Sequence, residues 1–355
     1  MRSIWLFRSN LRILEDYHKA DCTDIEEFKK ACHDFWILQL IEFLEQDYFD
    51  EAVVWRLKPK ESYLSSGFSF LVGDKMKILR QRFVNSFDDI FDPIYNYFRC
   101  PPDISFFRGG FPEYDKLVNE YGNPSRIIGN CLGLKLYCGT GKRIHPQYGG
   151  RYDRVLLEDE RDYTPGYHQI PFYKTASPIH FYMNDRDPKY DICFISNFTQ
   201  DRYKGQEFFI KEVSKSEYLR SLDIVHFGNQ PEKGRKLCEK YKVRNIKFGG
   251  HKSKTFLNQI INKSKFGLVC SNQLDGCPRV ITEILSCGTP LLLRSSTRLL
   301  NFYKKNGVVI FDDSRIESTI KEAMTNYDMF KRLAVSLRDE ISLQNICKKN
   351  IELWK

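Results

Sequence analysis

The chain has 355 residues, 42% of them hydrophobic and 14% aromatic, with a formal net charge of +9 at pH 7. That length exceeds one ordinary core and suits two domains of roughly 170 residues each, and the composition excludes a disordered chain. No apolar run approaches the ~20 residues that span a bilayer, and the 11 cysteines are odd in number with none in a C-x-x-C spacing, so neither a membrane span nor a disulfide framework nor a zinc site is expected.

The opening MRSIWLFRSN has an apolar stretch only from Ile4 to Phe7, broken by Arg8. It reads as a first strand over 3–10 and not as a signal peptide. A helix is expected over 25–49 and a strand over 51–57; the stretch 58–103 shows no regular pattern. Further strands are expected at 104–110, 126–130, 134–140 and 154–159. The segment 160–189 carries Pro165, Gly166, Pro171, Pro178 and Pro188 and reads as a linker joined to the last loop of the first domain.

From Tyr190 onward short β-rich runs alternate with amphipathic ones. Strands are expected over 190–197, 222–229, 243–250, 265–272, 289–296 and 307–313, with helices at 205–219, 231–241, 252–264 and 278–288. Six such units in succession argue for a doubly wound parallel sheet. Several strands end in Gly, Asn or Ser, which suits ligand-facing loops at the carboxyl edge of such a sheet. The stretch 324–355 reads as two polar helices. The division expected is an N-terminal α/β domain over 1–175, a C-terminal one over 176–340, and a final helix over 341–355, whose packing back on the first domain is left open.

The charge is unevenly placed. Residues 1–180 hold 24 Lys+Arg against 26 Asp+Glu, and residues 181–355 hold 31 against 20, so the halves carry −2 and +11. A basic second half suits a nucleotide diphosphate, a nucleic acid or an anionic membrane surface, and a solvated lysine-rich surface would look the same. Cysteines such as Cys193 and Cys270 lie inside apolar runs, where a reduced thiol acts as a small hydrophobe. The expected location is therefore cytoplasmic, with peripheral contact to the cytosolic membrane face left open. The seven histidines show no metal-ligand spacing.

The most informative stretch is Ser271-Asn-Gln-Leu-Asp275-Gly276-Cys277-Pro278-Arg279-Val280-Ile281-Thr282-Glu283, continuing ILSCGTPLLL. A strand ends at Asn272, a short loop carries an acid and a glycine, and Pro278 falls where the first turn of a helix should be. The helix start points free N–H groups and its positive dipole end at the loop, an arrangement that suits phosphate. Glu283, one and a half turns further on, can reach a hydroxyl of the same ligand.

This segment resembles the donor site of the glycosyl transferases group 1 family, in which two carboxylates separated by seven residues precede a small-x-Gly-x-Pro tail. Asp275 and Glu283 are that pair here, and Ser286-Cys287-Gly288-Thr289-Pro290 is the tail. The family's first acid is usually Glu, so Asp275 is a shorter substitute. Upstream, Lys204-Gly205 resembles the family's Lys-Gly pair near the diphosphate, whereas the arginine expected at the preceding strand end is replaced by Ser196-Asn197, with Arg202 as a substitute nearby. Phe248-Gly249-Gly250 resembles its glycine-bearing strand end beside the base.

The resemblance implies the GT-B fold, two Rossmann-like domains facing across a cleft. It implies Asp275, Lys204 and Glu283 as catalytic residues, in a donor site completed by Asn197, Arg202, Gly249, Gly250, Gly276, Cys277, Pro278, Arg279 and Val280. The acceptor side would come from glycine-rich strand ends of the first half, Arg108, Gly109 and Gly110 and then Gly141, Lys142 and Arg143. The partners implied are a nucleotide-sugar donor and a glycan or other hydroxyl acceptor, with peripheral membrane contact compatible and no nucleic acid. No metal and no further cofactor is required, and retention of anomeric configuration follows from the same resemblance. A catalytically inactive binder of nucleotide sugars or glycans with this fold is the first alternative, and a basic nucleic-acid-binding protein the second.

Overall fold

The computed structural model describes residues 2–8, 25–32, 34–57, 66–92, 100–109, 112–122, 130–138, 151–184, 186–198, 201–273, 275 and 277–354. Two compact units divide the chain. The first comprises residues 1–157, 161–172 and 347–355, and the second residues 158–160 and 173–346.

In the first unit, the strands β1 (Ser3–Arg8), β2 (Glu51–Leu57), β3 (Ser66–Val72), β4 (Lys75–Val84), β5 (Ile104–Arg108), β6 (Leu134–Cys138), β7 (Arg154–Leu157) and β8 (Gln169–Pro171) form one sheet. Their order is β3-β4-β2-β1-β5-β6-β7-β8, and every pairing is parallel except β3 with β4. That hairpin lies in the stretch without a regular sequence pattern. It turns at Gly73, and its edge strand leaves Leu71 65% exposed, so hydrophobic alternation does not announce it. The helix expected over 25–49 is two, α1 (Ile25–Ala31) and α2 (Phe35–Glu45), because Asp34 caps the second by accepting from the Trp36 N–H at 3.0 Å. Helix α3 spans Pro112–Tyr121. Of the strand expected at 126–130, residues 126–129 lie outside the described residues.

In the second unit, β9 (Tyr190–Ile195), β10 (Ile224–Phe227), β11 (Ile246–Phe248), β12 (Ser264–Val269), β13 (Leu291–Arg294) and β14 (Val308–Phe311) form a parallel sheet in the order β11-β10-β9-β12-β13-β14. Each matches an expected strand but is shorter, since the apolar pattern runs on into the loops. The helices are α4 (Asp201–Lys204), α5 (Gln206–Lys215), α6 (Glu217–Ser221), α7 (Pro231–Tyr241), α8 (Lys254–Asn262), α9 (Arg279–Ser286), α10 (Ile316–Thr325) and α11 (Tyr327–Glu340). Successive strand residues feed opposite layers: Ile192, Phe194, Phe266 and Leu268 pack in one core, and Cys193, Val269, Leu291 and Leu293 in the other. The chain winds outward from β9 to β11 and then returns to β12 on the other side. The switch point between β9 and β12 opens a crevice at their carboxyl ends, where open α/β sheets bind ligands.

The chain ends in α12 (Leu343–Trp354), which starts in the second unit and finishes in the first. The sequence reads as polar here, yet Ile346, Cys347, Ile351 and Trp354 are fully buried. Their spacing gives one apolar face, diluted in the sequence by the Lys, Asn and Glu between them. The Trp354 ring lies 5.8 Å from Phe106 and 6.1 Å from Phe172, both stacked, and 5.5 Å from Phe43 edge-on. Among the described residues, no helix is long and apolar enough to cross a membrane.

Candidate functional site

The crevice between β9 and β12 is built by a backbone clamp. After β12 the chain passes through buried Cys270 to Asn272, whose N–H donates to the Tyr203 carbonyl at 2.8 Å. Gly205, between α4 and α5, is left-handed at φ 73°, and a Cβ there would stand 2.3 Å from the Cys270 carbonyl oxygen. Only glycine meets both demands. The clamp brings the end of α4 beside the loop after β12, and Lys204 Nζ donates to Asp275 Oδ2 at 2.6 Å. Their side chains are 20% and 16% exposed.

The loop then enters α9. Pro278 is the residue before the helix, one position earlier than expected, with φ −67° and ψ 125°, and its carbonyl accepts from the Ile281 N–H at 3.2 Å. The Pro278 side chain cannot cap this end, and among the described residues no cap side chain takes up the first N–H groups of α9. Gly276 lies outside the described residues. Cys277 is half-buried, and burial pushes its thiol up to about 12, which leaves it un-ionised. Arg279 is exposed, while Val280 packs against the core. Glu283, in the second turn, is half-buried; burial raises its carboxyl above the usual range, opposed by Arg279 and Lys254. The helix closes at Cys287, with Gly288 left-handed behind it.

Asn197 and Ser196, where the family carries a cation, are engaged with the next strand end. Asn197 Oδ1 accepts from the Asn229 N–H at 2.9 Å, and Ser196 Oγ is hydrogen-bonded to His226 Nε2 at 3.1 Å. Arg202 lies in α4, and its side chain is outside the described residues. At the end of β11, a Cβ on Gly249 would stand 2.0 Å from the Phe227 ring, and the Gly250 carbonyl accepts from the Gly228 N–H at 3.1 Å. These glycines keep the loop tight against β10.

Three residues around the crevice carry no sequence signal. His226 is 2% exposed among the rings of Phe194, Phe198 and Phe248; its Nδ1 has no hydrogen-bond partner among the described residues, and burial lowers it to about 3. Gln206, at the start of α5, is fully buried, with neither amide atom hydrogen-bonded among the described residues. Arg294, ending β13, is bonded to Asp313 and stacks 3.8 Å over Phe208. Apolar neighbours in the sequence hide the first, and the other two look like surface residues.

In the first unit, Arg108 ends β5. Its Nη1 donates to the Cys138 carbonyl at 3.3 Å, and its guanidinium lies 4.9 Å over Trp36. Gly109 follows at φ 99° and donates to the same carbonyl at 2.9 Å. Gly110, Gly141, Lys142 and Arg143 lie outside the described residues.

Residues 189–326, which hold the clamp, the acid pair and α9, match a family model. It is that of the glycosyl transferases group 1. No curated protein matches the chain in sequence. Solved structures similar to it include sucrose-phosphate synthase from Thermosynechococcus elongatus, at 13% identity and TM-score 0.64, covering 100% of this chain and 98% of that one. A glycosyltransferase from Rickettsia africae ESF-5 gives 12% and 0.64 with the same coverage. Anabaena HepE, solved with UDP and glucose, gives 11% and 0.60 over 99% of each chain. At such identities the likeness shows the fold, that of the GT-B glycosyltransferases, in agreement with the resemblance read from the sequence.

Proposed function

We propose that the protein is a glycosyltransferase that moves a sugar from a nucleotide diphosphate to a hydroxyl of a glycan or other acceptor, with retention of configuration. The observation that carries this reading is the Lys204–Asp275 contact, set at the open start of α9 at the switch point of a sheet that matches the group 1 family. Lys204 and the first N–H groups of α9 hold the diphosphate, Asp275 meets hydroxyls of the donor sugar, and Glu283 meets the ribose.

As the glycosidic bond breaks, negative charge grows on the diphosphate, and a cation fixed beforehand stabilises it without reorganising. Lys204 supplies that charge, so the reaction is proposed to need no metal. The acceptor attacks from the face the diphosphate leaves, and the departing phosphate oxygen takes the acceptor's proton. The protein's part is orientation and charge stabilisation. Cytoplasmic location, with contact at the cytosolic membrane face, belongs to the same proposal; nucleic acid does not.

Calorimetric titration with UDP, GDP, ADP and CMP, and with the glucose conjugates of the three diphosphates, in EDTA tests it. Micromolar binding of one of these nucleotides, free or sugar-bearing, lost in Glu283→Ala, is expected, and binding of none overturns it. One observation favours a non-catalytic donor-binding protein instead: Ser196 and Asn197 turn to His226 and Asn229, which leaves the crevice with fewer cations. Donor binding without sugar transfer or hydrolysis would establish that second reading.

A further inference from the structure

We infer that Asp275 makes the site discriminate against the free nucleoside diphosphate, the spent form of the donor. The inference rests on the donor-site reading above and adds a role for the charge of this one side chain. Lys204 Nζ and Asp275 Oδ2 are 2.6 Å apart with both side chains largely out of water. A phosphate bound by Lys204 with its ammonium in this place lies within a few ångströms of the Asp275 carboxylate.

Two like charges at that range in a partly desolvated crevice repel strongly. A free diphosphate brings no hydroxyl to occupy the carboxylate and so leaves this repulsion only partly offset by Lys204, and it also carries one more ionisable oxygen than the sugar-bearing form. A sugar nucleotide brings hydroxyls that donate to Asp275, so the ion pair is exchanged for two new contacts, ammonium to phosphate and hydroxyl to carboxylate. The shorter acid suits this exchange, because its oxygen reaches the ammonium at hydrogen-bond distance in the sugar-free site.

The test compares wild type, Asp275→Asn and Asp275→Glu by calorimetry with UDP, GDP and ADP, each beside its glucose conjugate. With the base that binds, Asp275→Asn should bind the free diphosphate about tenfold more tightly and gain nothing for the conjugate. Asp275→Glu keeps the charge and should keep the wild-type preference. Equal or weaker diphosphate binding by Asp275→Asn, with wild-type binding intact, overturns the inference while leaving the donor site standing. Should the Asn variant not fold, loss of the preference in Asp275→Glu overturns it as well. No nucleotide binding by the wild type removes the donor site itself, and this inference with it.

Discussion

A Cβ on Gly205 would stand 2.3 Å from the carbonyl oxygen of Cys270. Two chain segments 65 positions apart thus approach so closely that one of them must be glycine. Gly205→Ala also forces a side chain into left-handed backbone, which alone costs roughly 1–2 kcal/mol, and the contact adds to it. Chemical denaturation should show a loss of at least ~2 kcal/mol. Because the clamp sets Lys204 against Asp275, nucleotide binding should fall with it, even where the variant stays folded.

Lys204→Ala and Glu283→Ala should each lower sugar transfer by at least about tenfold with little change in the fold. Circular dichroism and a transfer assay measured on the same preparations check this. Unchanged rates in both variants would sink the assignment of these residues.

Glu283 gives a signed dependence on pH. Burial raises its carboxyl above the ordinary value of 4.5, so both folded and unfolded states are neutral at low pH and burial then costs no charge. As pH rises through the raised folded value, stability is lost to the buried carboxylate. Glu283→Gln should therefore melt higher than wild type at pH 8 and together with it at pH 3.5. Coincident melting curves at both pH values would mean that burial does not hold this carboxyl above its ordinary value.

His226 acts in the opposite direction. It stays neutral in the folded chain, lowered from 6.5 to about 3, whereas the unfolded chain takes up a proton near 6.5. Its contribution is present above 6.5 and is lost as pH falls toward 3. Between pH 6.5 and pH 5 the loss is roughly 1.5 kcal/mol. His226→Phe, placed among Phe194, Phe198 and Phe248, should flatten that part of the acid-stability profile. Equal slopes in the two proteins would show that other groups set it.

The second unit is legible in the sequence because its strands are buried and β-rich and its turns carry Gly, Asn and Ser, so each element announces itself locally. The positions of Asp275, in the loop after β12, and of Glu283, in the helix that follows, are legible from the same local pattern. The direct contact of Lys204 with Asp275 is not, since a 71-residue separation carries no periodic signal. By sequence Ser196 and Asn197 stand in for a ligand-facing cation, but their hydrogen bonds run sideways to β10, which only the sheet order reveals. In the first unit, the β3–β4 hairpin is hidden because its exposed edge breaks the alternation that burial would impose. Asp34 divides α1 from α2 through a cap whose partner is two residues away, too local a device to stand out inside an apolar run.

The burial of Trp354 against Phe43, Phe106 and Phe172 bears on the order in which the chain matures. On the ribosome the first unit is translated first, but its aromatic cluster lacks a central ring until a residue 182 positions beyond Phe172 has emerged. The second unit, complete by Ile346, can close before it. The half made earliest is therefore finished last. It must wait with an unfilled apolar gap, and damage to α12 should be felt in the first unit before the one that is nearer in sequence.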